Sequence, residues 1–205
     1  MHISEGVLSG PVLVAGAALA AAGTAVGLKR LAPDRIARTA MLAGAFFVAS
    51  LVHVPLGPTS VHLVLNGLVG LLLGWPAFPA IVVGLFLQAV FFQFGGLTTL
   101  GVNTLIMAVP AVIGYGLFSR LLQAGRAAAF AAAFACGVFS VLLGGVLVGL
   151  ALTFTEEHFF KVAVAVILAH LPVAVIEGVV TALCVGFLRR VQPGLLPGRP
   201  PAEVP

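Results

Sequence analysis

The stretch 127-AAAFAAAFACGVFSVLLGGVLVGLALT-153 runs without a charged side chain, from just after Arg126 to just before the acidic loop that starts at Glu156. About 20 apolar residues span a bilayer as a helix, so this run reads as a membrane crossing. Moving outward between breakers, comparable runs cover residues 8–28, 39–54, 61–74, 79–94, 103–119 and 162–188. The third and fourth are short, and Gly74-Trp75-Pro76 and Phe78-Pro79 punctuate the turn between them. The chain of 205 residues is 61% hydrophobic and 8% charged, against roughly 25% charged in a soluble domain. The expected fold is an all-α integral membrane protein of about seven transmembrane helices. Residues 1–190 form one transmembrane domain and 191–205 a Pro-rich tail expected to be unstructured.

The net charge is +4, but the basic residues form no patch with interleaved aromatics, which excludes a nucleic-acid surface. They sit at helix ends instead. Lys29, Arg30, Arg35 and Arg38 follow the first run, Arg120 and Arg126 the fifth, and Arg189, Arg190 and Arg199 the last. Only Lys161 falls on the other side. With an outward N-terminus and a cytoplasmic C-terminus, seven spans put nine of the ten Lys and Arg residues inside. Six spans would scatter them. The outer face then gathers Met1-His2, His53 to Ser60, Gly95 to Gly101 and Thr153 to Lys161. Glu5 is the sole charge before Lys29, so a signal peptide's positive n-region is missing. Because His2 is not small, Met1 is expected to be retained. Cys136 and Cys184 lie inside apolar runs and read as packing residues.

The start Met1-His2 carries chemistry of its own. A terminal amine and the His2 amide nitrogen close a five-membered chelate ring, and the His2 Nδ1 closes a six-membered ring with that amide. Three nitrogens in one plane suit Ni2+, Cu2+ or low-spin Co2+. One imidazole would complete the square. His62, in the outward loop 52-VHVPLGPTSVHL-63, is the natural donor; its alternative role is packing at a helix start. His53 is the rival, either orienting the binding imidazole from behind or simply interfacial. His158 reads as solvated and His170 as a bundle histidine.

Other polar residues divide between lining the site and holding the bundle. Glu5 can pin an inserted N-terminus or cap the first helix. Glu177 is a carboxylate deep in the last run, where buried charge is expensive, and hydrogen bonding within the bundle suits it better than metal contact. Asn103 and Gln93 flank 95-GGLTTLG-101 and can line the site; Asn66 and Gln88 are further amides in apolar surroundings, usually interhelical bonds. Gly16, Ala20, Gly23 and Gly27 form a close-packing face, within the bundle or against another protein. There is no G-x-x-x-x-G-K-[ST] phosphate loop, no triad and no carboxylate pair in a cleft, so any energised transport would borrow its ATPase.

The start Met1-His2-Ile3-x-Glu5-Gly6-x-Leu8, the loop 58-PTSVHL-63 and the stretch 86-FLQAVFFQFGGLTTLGVNT-104 resemble the CbiM/NikM family, substrate-binding components of energy-coupling factor transporters for cobalt and nickel. The likeness continues through 113-IGYGLF-118 and 171-LPVAVIEGVVTAL-183; at Ile106 relatives often carry an Asn. The resemblance implies a seven-helix fold in the cytoplasmic membrane of a bacterium or archaeon, with the N-terminus inserted into the metal site. It implies as ligands the Met1 amine, the His2 amide and imidazole and the His62 imidazole; beside it, the residues themselves offer His53, Glu5, Asn66 and Asn103 as supporting candidates. It implies Ni2+ or Co2+ as cargo, with no resident cofactor, and as partners a CbiQ/NikQ-type coupling protein, CbiO/NikO-type ATPases and a separate CbiN/NikN-type small membrane protein. Two other classes stand beside this one: a proton-coupled secondary carrier using Glu177 and His170 as a relay, and a membrane scaffold without transport.

Overall fold

A computed structural model describes residues 2–56, 59–156 and 160–197. Among the described residues are eight α-helices, three short 3-10 turns and one hairpin. Helix α1 (Gly10–Lys29) opens with Pro11 in its first turn, where the missing N–H costs nothing. Helix α2 (Ile36–Ala49) leads into strands β1 (His53–Leu56) and β2 (Thr59–His62), which pair antiparallel with His53 opposite His62. Then come α3 (Asn66–Leu73), α4 (Ala77–Phe92), α5 (Leu100–Phe118), α6 (Arg126–Thr153), α7 (Phe160–Ala169) and α8 (Leu171–Val191).

Four helical segments are long and apolar enough to cross a membrane among the described residues: α1, α5 with its extension to Gln123, α6 and α8. The fold is mostly helical, as expected, but two expected runs are not single helices. The run 61–74 begins as the end of β2, turns through Leu65 at φ +56°, and is helical only from Asn66 to Leu73. The run 162–188 is split at His170. There Pro172, in the first turn of α8, lacks the N–H that would continue α7. Helix α4 is 16 residues long, or about 24 Å at 1.5 Å per residue, short of a straight 30 Å crossing.

Glycines set how closely the helices approach. A Cβ on Gly70 of α3 would stand 2.2 Å from the Ala111 carbonyl oxygen of α5, and one on Gly137 of α6 would stand 2.7 Å from the Glu177 carbonyl oxygen of α8. The small-residue face of α1 is used inside the bundle: Gly16 lies against Val102, and Gly23 and Gly27 against Phe78 and Pro79. One apolar cluster joins Ile3, Leu8 and Val64 to α4 and α5; a second joins α3, α6 and α8 and includes Leu196. Residues 193–195 form a short helical turn and Leu196 is buried, so the start of the expected unstructured tail folds back onto the bundle. Phe86, Phe91, Leu117, Leu150 and Phe187 point outward, as a surface facing hydrocarbon requires. Both cysteines are free, Cys136 buried and Cys184 partly so.

The two ends of the bundle differ in chemistry. At one end Arg38 donates to the Leu72 carbonyl at 2.6 Å and to the Leu195 carbonyl, Arg189 donates to the carbonyls of Leu122 and Ala124, and Arg30 lies 4.9 Å over Trp75. Cations here meet helix C-termini, where the dipole favours them. At the other end the N-terminal segment, the end of β2, the end of α4 and the start of α5 converge.

Candidate metal centre

Main-chain bonds bring the N-terminal segment into the bundle. The Ile3 N–H donates to Asn103 Oδ1 at 2.9 Å, and Asn103 Nδ2 donates back to the Ile3 carbonyl at 3.0 Å. Asn103 is buried near the start of α5 and also donates to Thr99 Oγ1. Ile3 is buried in the core, so an apolar anchor and a paired amide fix the segment together. Glu5 adds a third tie, accepting the Thr98 N–H at 3.1 Å. The turn that makes room is 93-QFGG-96, where Gln93, Gly95 and Gly96 all take positive φ.

This docking sets His2 beside His62. His2 Nδ1 and His62 Nε2 are 3.2 Å apart, and the two ring centroids 5.0 Å. The partners of the outer nitrogens assign the protons. His62 Nδ1 lies 3.0 Å from the Leu63 carbonyl oxygen, which can only accept, so Nδ1 carries the hydrogen and Nε2 is bare. His2 Nε2 lies 2.8 Å from Gln88 Oε1, while Gln88 Nε2 faces the Phe46 carbonyl at 3.5 Å. The amide orientation that satisfies Phe46 leaves His2 Nε2 the donor and Nδ1 bare. Two imidazole lone pairs therefore face each other. Phe94 stacks parallel to His62 at 5.9 Å and leans against His2 at 6.0 Å, walling the pair on one side.

Burial depresses the His2 pKa from 6.5 to about 3, with the neighbouring His62 adding to the effect. The imidazole is thus neutral, the form that binds metal. Among the described residues no group of three or more His, Cys, Asp or Glu side chains gathers here. The further donors at hand are main-chain nitrogens, the His2 amide among them.

The other expected residues fall into place around this pair or away from it. Met1 and His158 lie outside the described residues, as does the His53 side chain; the His53 backbone pairs with His62 across the hairpin. Asn66 is buried at the start of α3, donating to the Met107 carbonyl at 3.1 Å and accepting the Gly67 N–H; it joins α3 to α5. Gln93 ends α4 in the left-handed conformation. Ile106, where an Asn was expected in relatives, is buried in the core. Glu177 accepts the N–H groups of Val64 and Leu65, the latter at 2.9 Å, and His170 occupies the N-cap position of α8. Gln88 and Phe94 were not expected at the site. A glutamine inside an apolar helix signals only an interhelical bond, and an aromatic after a helix end signals nothing.

A profile described as the cobalt uptake substrate-specific transmembrane region matches residues 2–195. A Haemophilus influenzae protein carrying a metal-transport name is 42% identical, covering 96% of this chain and 97% of its own length. A cobalt transport protein CbiM from Sorangium cellulosum is 34% identical over 96% of this chain and 94% of its own. The fused nickel transport protein NikMN of Rhodobacter capsulatus is 33% identical over 98% of this chain but 66% of its own length. Among solved structures, the crystal structure of a transition metal transporter superposes with a TM-score of 0.75 at 25% identity, covering 93% of both chains.

Proposed function

This chain belongs to the CbiM family of cobalt uptake substrate-specific transmembrane regions, and we propose that it is the substrate-capture subunit of an energy-coupling factor importer for Ni2+ or Co2+. The observation that carries the reading is the 3.2 Å approach of His2 Nδ1 to His62 Nε2, with the outer ring nitrogens held by Gln88 Oε1 and the Leu63 carbonyl. Two nitrogens each about 2.0–2.1 Å from one divalent ion, at roughly 90–105°, lie about 2.8–3.3 Å from each other. The pair has the spacing of neighbouring ligands on a single ion. The Met1 amine and the His2 amide complete a plane of four nitrogens, with His62 opposite the amide. Asn103 and Glu5 hold the inserted segment, while Gln88 and the Leu63 carbonyl fix the tautomers, a task that metal-binding histidines depend on.

The ion arrives from outside and leaves inward. His2, Ile3 and His62 lie at the end of the bundle opposite the Arg30, Arg38 and Arg189 contacts, which supports an outward site and a cytoplasmic C-terminus under the positive-inside rule. Seven membrane segments result if α2, α3 and α4 complete the crossing region between the four long helices. A CbiQ/NikQ-type coupling protein and CbiO/NikO-type ATPases drive release, and a CbiN/NikN-type membrane protein assists from a separate chain. The relay reading is less well supported, because the Glu177 carboxylate is engaged by main-chain amides and His170 stands at the N-cap of α8, about two helical turns away.

The test is a Ni2+ titration of purified protein. One equivalent should bind with the visible absorption of planar Ni2+. Inserting one residue ahead of Met1, or making His2→Ala, should abolish that band, and His62→Ala should weaken binding at least about tenfold. Unchanged titrations in the His2 and insertion variants would sink the proposal.

A further inference from the structure

We propose that Glu177 is a positioning residue of the metal site: its carboxylate, delivered from α8, holds the turn that aims His62 at His2. The inference rests on the planar nitrogen site above. Glu177 is 1% exposed in an apolar bundle, where a carboxylate persists only with donors to meet it. Its donors are main-chain N–H groups. Val64 donates to Oε1, and Leu65 donates to Oε2 at 2.9 Å and to Oε1 at 3.2 Å. These amides stand just before α3, where no helical carbonyl can reach them. Leu65 has φ +56°, a conformation that a leucine adopts only when its surroundings impose it.

The turn is continuous with the site. His62 Nδ1 donates to the carbonyl of Leu63, and the next two amides are those on Glu177. Rotation of the 63–65 backbone would move the Leu63 carbonyl, release the His62 tautomer and swing Nε2 away from His2 Nδ1. A carboxylate suits this place better than an amide. Both N–H groups point at it, and a glutamine would turn its NH2 toward one of them.

The experiment compares wild type, Glu177→Gln, Glu177→Ala, His62→Ala and the His62→Ala/Glu177→Gln double variant. Each is purified in detergent, checked by thermal melting, and titrated with Ni2+ by calorimetry and visible absorption. Glu177→Ala should bind Ni2+ about 10–100-fold more weakly and lose part of the planar band, as loss of an outer partner does. Glu177→Gln, of the same shape, should show a smaller loss in the same direction; it decides the matter if the alanine variant does not fold. The double variant should bind no more weakly than His62→Ala, because Glu177 acts through His62. Wild-type affinity and band in Glu177→Gln, or additive losses in the double variant, would overturn the inference while leaving the site intact. A wild-type protein without the planar band would overturn the site itself, and that arm is read independently.

Discussion

Gly96 has φ +155°, and a Cβ there would stand 2.0 Å from Glu5 Cγ. Glu5 is exposed and could swing aside, but only by giving up the Thr98 N–H that ties the N-terminal segment. Gly96→Ala therefore combines backbone strain with a lost tie. At about 1–3 kcal/mol of strain, Ni2+ affinity should fall roughly 5–150-fold, read by the same titration; wild-type affinity would show that the Glu5 tie does not hold the site. His2 yields a second prediction. Its folded pKa lies near 3, against 6.5 when unperturbed, so between those values the unfolded chain takes up a proton that the folded chain refuses. Metal-free stability should rise with pH from about 3 to 6.5 and gain nothing more from His2 above that. Thermal melts across this range should be flatter for His2→Ala than for wild type. At this scale the site was partly legible. The sequence singled out His2 and His62, and the structure sets their imidazoles 3.2 Å apart, while Met1 lies outside the described residues. Gln88 and Phe94 act only through where α4 ends, which depends on Gln93 entering the left-handed region.

Helix α6 was the easiest element to read, since nothing in 127–153 competes with a helix. The division of 61–74 was hidden. Apart from His62, Asn66 and Gly67, Val61 to Val69 is aliphatic, and a short apolar run does not tell strand from helix. What splits it is tertiary: pairing of β2 with β1, and a carboxylate from α8 receiving the amides before α3. The break at 170 did have a local signal in Pro172, outweighed by the apolar run around it. Element packing makes its own prediction. In α6, Gly137→Ala would drive a Cβ to 2.7 Å from the Glu177 carbonyl oxygen and 2.8 Å from the Gly178 Cα. Both are backbone atoms that cannot rotate aside. The variant should lose about 1–3 kcal/mol, seen as a lower melting temperature in detergent. Gly116→Ala in α5 meets nothing within 4 Å and should melt no lower than wild type.

For the whole molecule, the mostly helical, apolar architecture was legible in the sequence, because runs such as 127–153 carry no charge. The proposed outward site rests on the positive-inside rule, and the proposed energy source is the ATPase partners. Cells expressing this chain with the proposed ATPase and coupling partners should take up radiolabelled Ni2+ or Co2+ in an ATP-dependent manner. Cells expressing it without the ATPases should reach only a small fraction of that rate, and uncoupler-sensitive uptake by the chain alone would favour a carrier. The shape of the bundle has a further consequence, seated in α3. This helix of eight residues is buried from Asn66 to Leu72, with the Glu177 carboxylate on the amides before it and the Arg38 guanidinium on its Leu72 carbonyl. Opening it would strand main-chain groups in an apolar interior and break both charged contacts at once. Its amides belong with those that exchange their hydrogens last, so the kinetic heart of this membrane protein lies in a helix too short to cross the membrane.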